Sequence, residues 1–228
     1  MATWKIDKST LKELAEAASQ LTEDMRIANT PEGWDIKVVD PAHVAMAEIT
    51  VAKGRFSEFS EGEDEFVIPI SKLKAFLNVA EDDVTIELGD RIVLRSGTLS
   101  RSFAPIELNQ DSPKVPNLNP SNSVNLDTTR ILMAINSVDF VDYVTIKMNS
   151  DGTTVMASGD LDTIEIQFPE SKTDGEVKAM YPLDYFRQAL KSIPRNVEFL
   201  MDDDYPLVIR SSSLTDIMYL IAPRIESE

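Results

Sequence analysis

Apolar positions along this chain follow two rhythms. Leu11, Leu14, Ala15, Ala18 and Leu21 recur at the three- and four-residue spacing of a helix face, with Ser9 placed as an N-cap. The stretches WDIKVVD, VAMAEITV and EFVIPI that follow keep the shorter rhythm of strands. SKLKAFLNVA returns to helical spacing, burying Leu73, Phe76, Leu77 and Ala80, and DVTIEL, RIVLRS and the segment Thr98 to Phe103 alternate again. The order then recurs. A helix is expected from Asp127, strands over YVTIKM, TTVMAS and TIEIQF, and a helix from Pro182 with Phe186, Ala189, Leu190 and Ile193 inward. VEFLMD, PLVIRS and DIMYLIAP close the second set.

The recurrence extends to the residues themselves. IPISKLKAFLNVAEDDVTIEL aligns without a gap on YPLDYFRQALKSIPRNVEFLM, placing Pro69 on Pro182, Leu77 on Leu190 and Val84 on Val197. VLRSGTL matches VIRSSSL, and Lys12 and Leu14 are answered by Arg130 and Leu132. Such a duplication predicts two similar domains, 1–107 and 125–228, joined by a connecting loop at 108–124. The surrounding segment, residues 104–124, has four prolines, four asparagines and no glycine, which reads as stiff and extended. Val115 and Leu118 are apolar residues stranded within it.

Charge changes the picture. The chain carries 22 Lys and Arg against 39 Asp and Glu, a net charge of −17, which by itself argues against a nucleic-acid binder. Yet the four helical stretches are neutral or net positive, so the acidic excess lies elsewhere. Arg187 and Lys191 fall well off the apolar stripe of their helix, as do Lys12 and Arg130, while Lys72 and Lys74 flank theirs. A solvated face explains any one helix; for four of them in so acidic a chain, a ligand stands beside solvent as a reading. The absence of cysteine excludes disulfides, thiolate metal sites and thiol nucleophiles, and His43 is the sole histidine. Carboxylate clusters at Asp202–Asp204, Asp82–Asp83 and Asp160/Asp162 could serve an enzyme, but each falls where a turn between strands is expected. No apolar run is long enough to cross a bilayer and the first residues lack a signal-peptide pattern, so a cytoplasmic location is expected.

VDPAHVAM (Val39 to Met46), DDYPLVI (Asp203 to Ile209) and YLIAPRIE (Tyr219 to Glu226) resemble segments of the archaeal and eukaryotic sliding clamps, the proliferating cell nuclear antigen family, archaeal type. The resemblance covers essentially the whole chain. It implies an α+β DNA-clamp fold, with two similar domains each carrying two helices on antiparallel sheets, closing as a homotrimer into a pseudo-six-fold ring. The implied function is a processivity factor that encircles double-stranded DNA without reading its sequence and performs no catalysis, with no cofactor and no metal. Its partners would be DNA polymerase, clamp loader, ligase and nucleases, recruited through short peptide motifs. It would act in the cytoplasm at the nucleoid, or in the nucleus of a eukaryote.

The resemblance also assigns residues. Lys12, Lys72, Lys74, Arg130, Arg187 and Lys191 would face DNA, with Lys8 and Arg195 in reserve. The partner-peptide pocket would use His43, Val44, Met46, Val115, Pro116, Pro206, Ala222, Pro223 and Ile225. Subunits would meet through Arg101, Phe103, Asp139, Val177 and Met180, with Thr98 to Phe103 pairing against Gly175 to Tyr181 and Arg101 opposite Asp139 or Asp142. Two departures from the family are a short chain and a connecting loop without an acidic run. A subunit of a heterotrimeric clamp, or a diverged clamp paralogue, is the alternative reading.

Overall fold

Strands dominate because apolar and polar residues alternate over most of the chain, so each strand buries one face. The computed structural model describes residues 2–107, 111–138, 141–159 and 162–225. It opens with β1 (Ala2–Asp7), α1 (Lys8–Ser19), β2 (Asp24–Thr30), β3 (Gly33–Val39) and β4 (Ala45–Ala52). A 3-10 turn at Lys53–Arg55 leads to β5 (Phe56–Phe59), β6 (Glu65–Pro69), α2 (Ile70–Leu77), β7 (Asp83–Leu88), β8 (Ile92–Ser96) and β9 (Leu99–Phe103). The second set begins with β10 (Asn122–Asp127), α3 (Thr128–Ile135), β11 (Tyr143–Asn149), β12 (Gly152–Ser158) and β13 (Thr163–Phe168). It ends with β14 (Val177–Pro182), α4 (Leu183–Lys191), β15 (Asn196–Met201), β16 (Leu207–Ser212) and β17 (Asp216–Ile221).

The two sets share one topology. In the first, β5-β1-β7-β8-β9 form an antiparallel sheet and β4-β3-β2-β6 are successive neighbours. In the second, β10-β15-β16-β17 and β13-β12-β11-β14 follow the same two orders. Among the described residues only β5 lacks a counterpart. By contacts the chain divides into two units. The first holds Met1–Pro41, Ala47–Val115 and Ser212–Ile217; the second holds Ala42–Met46, Pro116–Ser211 and Met218–Glu228.

Every helix springs directly from a strand, and the first helical N–H finds a distant carbonyl instead of water. Lys8 N–H donates to Asp82 O (2.7 Å) and Thr128 N–H to Arg195 O (2.7 Å), while Ile70 N–H donates to Glu23 O (2.9 Å) and Leu183 N–H to Asp142 O (2.8 Å). These bonds are equivalent in the two units. They fix where each helix leaves its sheet. The N-cap of α1 is Asp7, whose carboxylate accepts from Thr10 N (2.9 Å); the expected cap, Ser9, donates its hydroxyl to Asp7 instead. The turns before β3 and β12 use glycine for the same reason in both units. Gly33 has φ +139° and a Cβ there would lie 2.0 Å from Val51 O; Gly152 has φ +142° and a Cβ would lie 2.7 Å from Phe168 O.

In the first unit, α1 packs on α2 and β1, and Leu11, Leu14, Ala15 and Ala18 are fully buried. An aromatic cluster joins its two sheets: Trp4 stacks on Phe66 at 5.1 Å and meets Trp34 edge-on at 5.6 Å, and Trp34 meets Phe56 at 4.9 Å. In the second unit, α3 packs on α4 and β13, and α4 lies on β11 and β14. There Phe186 and Phe199 meet edge-on at 6.1 Å.

Periodicity did not give β1, β2, β5, β10 or β14, and three of them show why. β1 has two inward residues, Trp4 and Ile6, too few to set a rhythm. β2 (DMRIANT) buries the polar Asn29 as its third inward residue, which holds Ser60 O (2.9 Å) and so hides the alternation. β10 begins at Asn122, inside the stretch read as connecting loop, and buries Val124 and Leu126 between polar neighbours. The helices are also shorter than their apolar stripes. α2 stops at Leu77, leaving Val79 69% exposed, and α4 stops at Lys191 before Pro194, leaving Ile193 half-buried beyond its end.

Candidate functional site

The basic residues expected to face DNA sit on the helices but differ in freedom. Lys12 on α1 and Lys191 on α4 are exposed, and among the described residues neither forms an ion pair or side-chain hydrogen bond. Lys74 reaches from α2 to Glu16 (2.9 Å) and Ser19 (3.2 Å), tying α2 to α1. Arg187 pairs with Asp184 one turn earlier (3.0 Å) and donates to Ile135 O (3.3 Å), tying α4 to the end of α3. Half-exposed pairs of this kind contribute about 0–1 kcal/mol and rearrange readily toward a phosphate.

Lys72 and Arg130 are held differently. Lys72 lies over the Phe103 ring at 5.2 Å, and Arg130 over Phe168 at 4.7 Å with Glu170 3.8 Å away. The reserve pair is committed: Lys8 Nζ donates to Ala80 O (2.6 Å) and Arg195 pairs with Asp127 (2.8 Å).

Most of the residues expected to form the peptide pocket fall in the second unit. His43, Val44 and Met46, together with Pro116, Pro206, Ala222, Pro223 and Ile225, all belong to it; Val115 ends the Ala47–Val115 segment of the first unit. Ala222 N–H donates to Val44 O (2.8 Å), which joins the tail to the His43 segment. His43 adopts φ +58°, projecting an exposed ring, and Ile225 is 71% exposed. Val44, Met46, Pro206, Ala222 and Pro223 are half-buried and Pro116 is exposed, a mixture suited to an apolar anchor. The tail is also clasped by Arg224, whose N–H donates to Met180 O (2.7 Å) and whose guanidinium lies 4.0 Å from the Tyr143 ring. Nothing in the sequence pairs Arg224 with Tyr143.

The turn before Pro206 is a hub. Asp202 accepts hydrogen bonds from Ser121 Oγ (2.7 Å), Ser121 N (3.1 Å) and Asn122 Nδ2 (2.8 Å). Partial burial pushes its carboxyl up, but those donors together outweigh this and hold it below the ordinary value. Asp203 accepts from Lys178 N (2.6 Å), Asp204 N–H donates to Lys178 O (3.3 Å), and Tyr181 donates its hydroxyl to Tyr205 O (2.9 Å). Burial raises the Tyr181 hydroxyl's pKa, so it stays a donor. The aspartates thus serve backbone geometry. Among the described residues no three His, Asp or Glu side chains converge as a metal site, and no helix is long and apolar enough to cross a membrane.

The expected subunit contacts need correction. Phe103 (5% exposed) and Val177 (8%) point into their own units, because both lie on the core-facing side of their strands. Arg101 donates to Lys72 O (2.9 Å) within its own unit. Asp139 lies outside the described residues. The β14 edge, expected to receive a neighbour along Gly175 to Tyr181, is already covered by Asp203, Asp204 and Arg224 through Lys178 and Met180. β13 is the other end strand of that sheet, as β9 is an end strand of its own.

No family model matches the chain. The DNA polymerase sliding clamp of Methanothrix thermoacetophila is 30% identical over 241 residues, covering 98% of both chains. Among solved structures, A. fulgidus PCNA bound to the C-terminal region of FEN-1 superposes with a TM-score of 0.90 at 21% identity, covering all of both chains. A chain of the PCNA2–PCNA3 complex from Sulfolobus tokodaii gives 0.82 at 19% identity, covering 98% of this chain and 100% of that one. The structural likenesses establish the fold.

Proposed function

Because this chain belongs to the family of DNA polymerase sliding clamps, we propose that it encircles duplex DNA and tethers replication and repair proteins to it without catalysing a reaction itself. Identity spread over 98% of both chains carries this reading. The helices supply the physics. Lys12 and Lys191 are free to meet phosphates, Lys74 and Arg187 can turn to them at small cost, and Lys72 and Arg130 contribute from fixed positions. Such contacts attract DNA without fixing its register, so the ring can slide.

The second unit's groove around His43, Val44, Met46, Pro116, Pro206, Ala222, Pro223 and Ile225 takes a short peptide of polymerase, clamp loader, ligase or nuclease. The FEN-1 segment bound to A. fulgidus PCNA supports this. Three copies close the ring through β9 and β13. In the second unit the end of β17 adjoins the start of β4 through Ala222 and Val44. By topology β9 is the counterpart of β17, and β13 that of β4. Repeating that pairing with β9 and β13 therefore calls for a second copy. The Sulfolobus tokodaii complex keeps a mixed ring with paralogues as the second reading; a stable mass near three times 25.4 kDa for the isolated protein would exclude it.

The deciding test is topological. Loaded on nicked circular DNA, the protein should be retained, and cutting the circle should release it. Lys12→Glu with Lys191→Glu should shorten retention and lower polymerase stimulation. Equal retention on circular and linear DNA would end the encircling reading.

A further inference from the structure

Four successive residues before Pro206 are pinned from two directions. Asp202 ties to Ser121 and Asn122, at the end of the connecting segment and 81 and 80 residues away in sequence. Asp203 and Asp204 tie to Lys178 of β14, and Tyr205 to Tyr181. Asp204 sits at φ +48°, a left-handed conformation that sets the direction in which the chain leaves toward Pro206. On the other side of the Asp202 clasp, Pro116 and Pro120 stiffen the approach to Ser121, so an anchor at Ser121 restrains the residues before it.

We propose that Asp202 is a positioning residue for partner-peptide capture: its carboxylate locks the end of the connecting segment to the turn bearing Pro206, so two walls of the groove are ordered before a peptide arrives. This rests on the groove reading above. A carboxylate suits the task because one oxygen, Oδ1, gathers both Ser121 Oγ and Asn122 Nδ2 while Oδ2 takes the Ser121 N–H. An asparagine can keep the Oδ1 contacts but turns a donor toward the Ser121 N–H. Without the clasp, a peptide must order the segment at its own expense, and affinity falls.

The test uses the full chain and a fluorescein-labelled synthetic peptide of the C-terminal region of FEN-1. Anisotropy should give roughly tenfold weaker binding for Asp202→Ala and roughly threefold for Asp202→Asn and Ser121→Ala. Asp90→Asn, the same charge change on an exposed turn of the first unit, should bind as wild type. Amide exchange at Ser121 should quicken in the Asp202 variants, with molar mass and retention on circular DNA unchanged. Unaltered affinity despite faster Ser121 exchange overturns the proposal, as does an equal loss in Asp90→Asn. Should Asp202→Ala fail to fold, wild-type affinity in Asp202→Asn and Ser121→Ala overturns it instead. Failure of the unsubstituted protein to bind the peptide defeats the groove reading first, and is recognised because no substitution is involved.

Discussion

Asp7, Asp127 and Asp202 each place a carboxylate where backbone ends would otherwise be unsatisfied. Burial raises the Asp7 carboxyl, but hydrogen bonds from Ser9 and Thr10 prevail and lower it. Arg195 is the largest influence lowering Asp127. All three fall below the ordinary 3.8, so the unfolded chain binds more protons than the folded one at acid pH. Their stabilisation is complete above about pH 5 and is lost as pH falls through the folded values. The urea midpoint should therefore drop on acidification from about pH 5 to about pH 3, and less so in Asp7→Asn with Asp202→Asn. An unchanged slope in that double variant would contradict the assignment. At the helix start the sequence misled: Ser9 has the right chemistry for a cap, but β1 ends two residues before it and Asp7 takes the position.

Edges decide assembly at the scale of the element. β13 carries Ile164 and Ile166 half-buried at its open side, on the face where α3 packs. An edge strand with apolar residues left partly uncovered invites a partner. Ile164→Asp with Ile166→Asp should therefore convert the assembly to monomers by light scattering. Lys178→Glu, exposed on β14, should leave the mass unchanged, because that edge is covered within the chain. The reverse result would restore β14 as the subunit strand. β14 was expected only through the resemblance, as Gly175 to Tyr181, but the alternation of β13 was readable in advance. Which one lies open was not, since the covering groups come from Asp203, Asp204 and Arg224.

The unit memberships constrain unfolding of the whole molecule. Ala42–Met46 belongs with the second unit and Ser212–Ile217 with the first, so each unit is completed by a segment from the other half of the sequence. Within the first, Glu13 Oε1 accepts from Thr215 N (2.9 Å) and Thr215 Oγ1 (2.8 Å), linking α1 to residues 202 positions later. Both tryptophans, Trp4 and Trp34, lie in the first unit's aromatic cluster. Tryptophan fluorescence thus follows that unit alone, while far-ultraviolet circular dichroism follows both. The two probes should give coincident urea transitions; separated midpoints would mean that the exchanged segments do not couple the units.

The sequence by itself determined the duplication, the four helices, most strands and the location of basic charge, because these follow from local periodicity and from residues repeated at near-constant offsets. It also gave family resemblance through short segments around His43, Pro206 and Pro223. Tertiary structure decided what depends on groups meeting across long separations. Asp202 reads as one of three turn aspartates until Ser121 is brought to it, and Arg130 as a free cation until Phe168 is placed beneath it. Phe103 reads as an edge residue until its strand's inward face is known. Hydrogen bonds and ring contacts act over a few ångströms, and only the folded chain specifies which residues come that close.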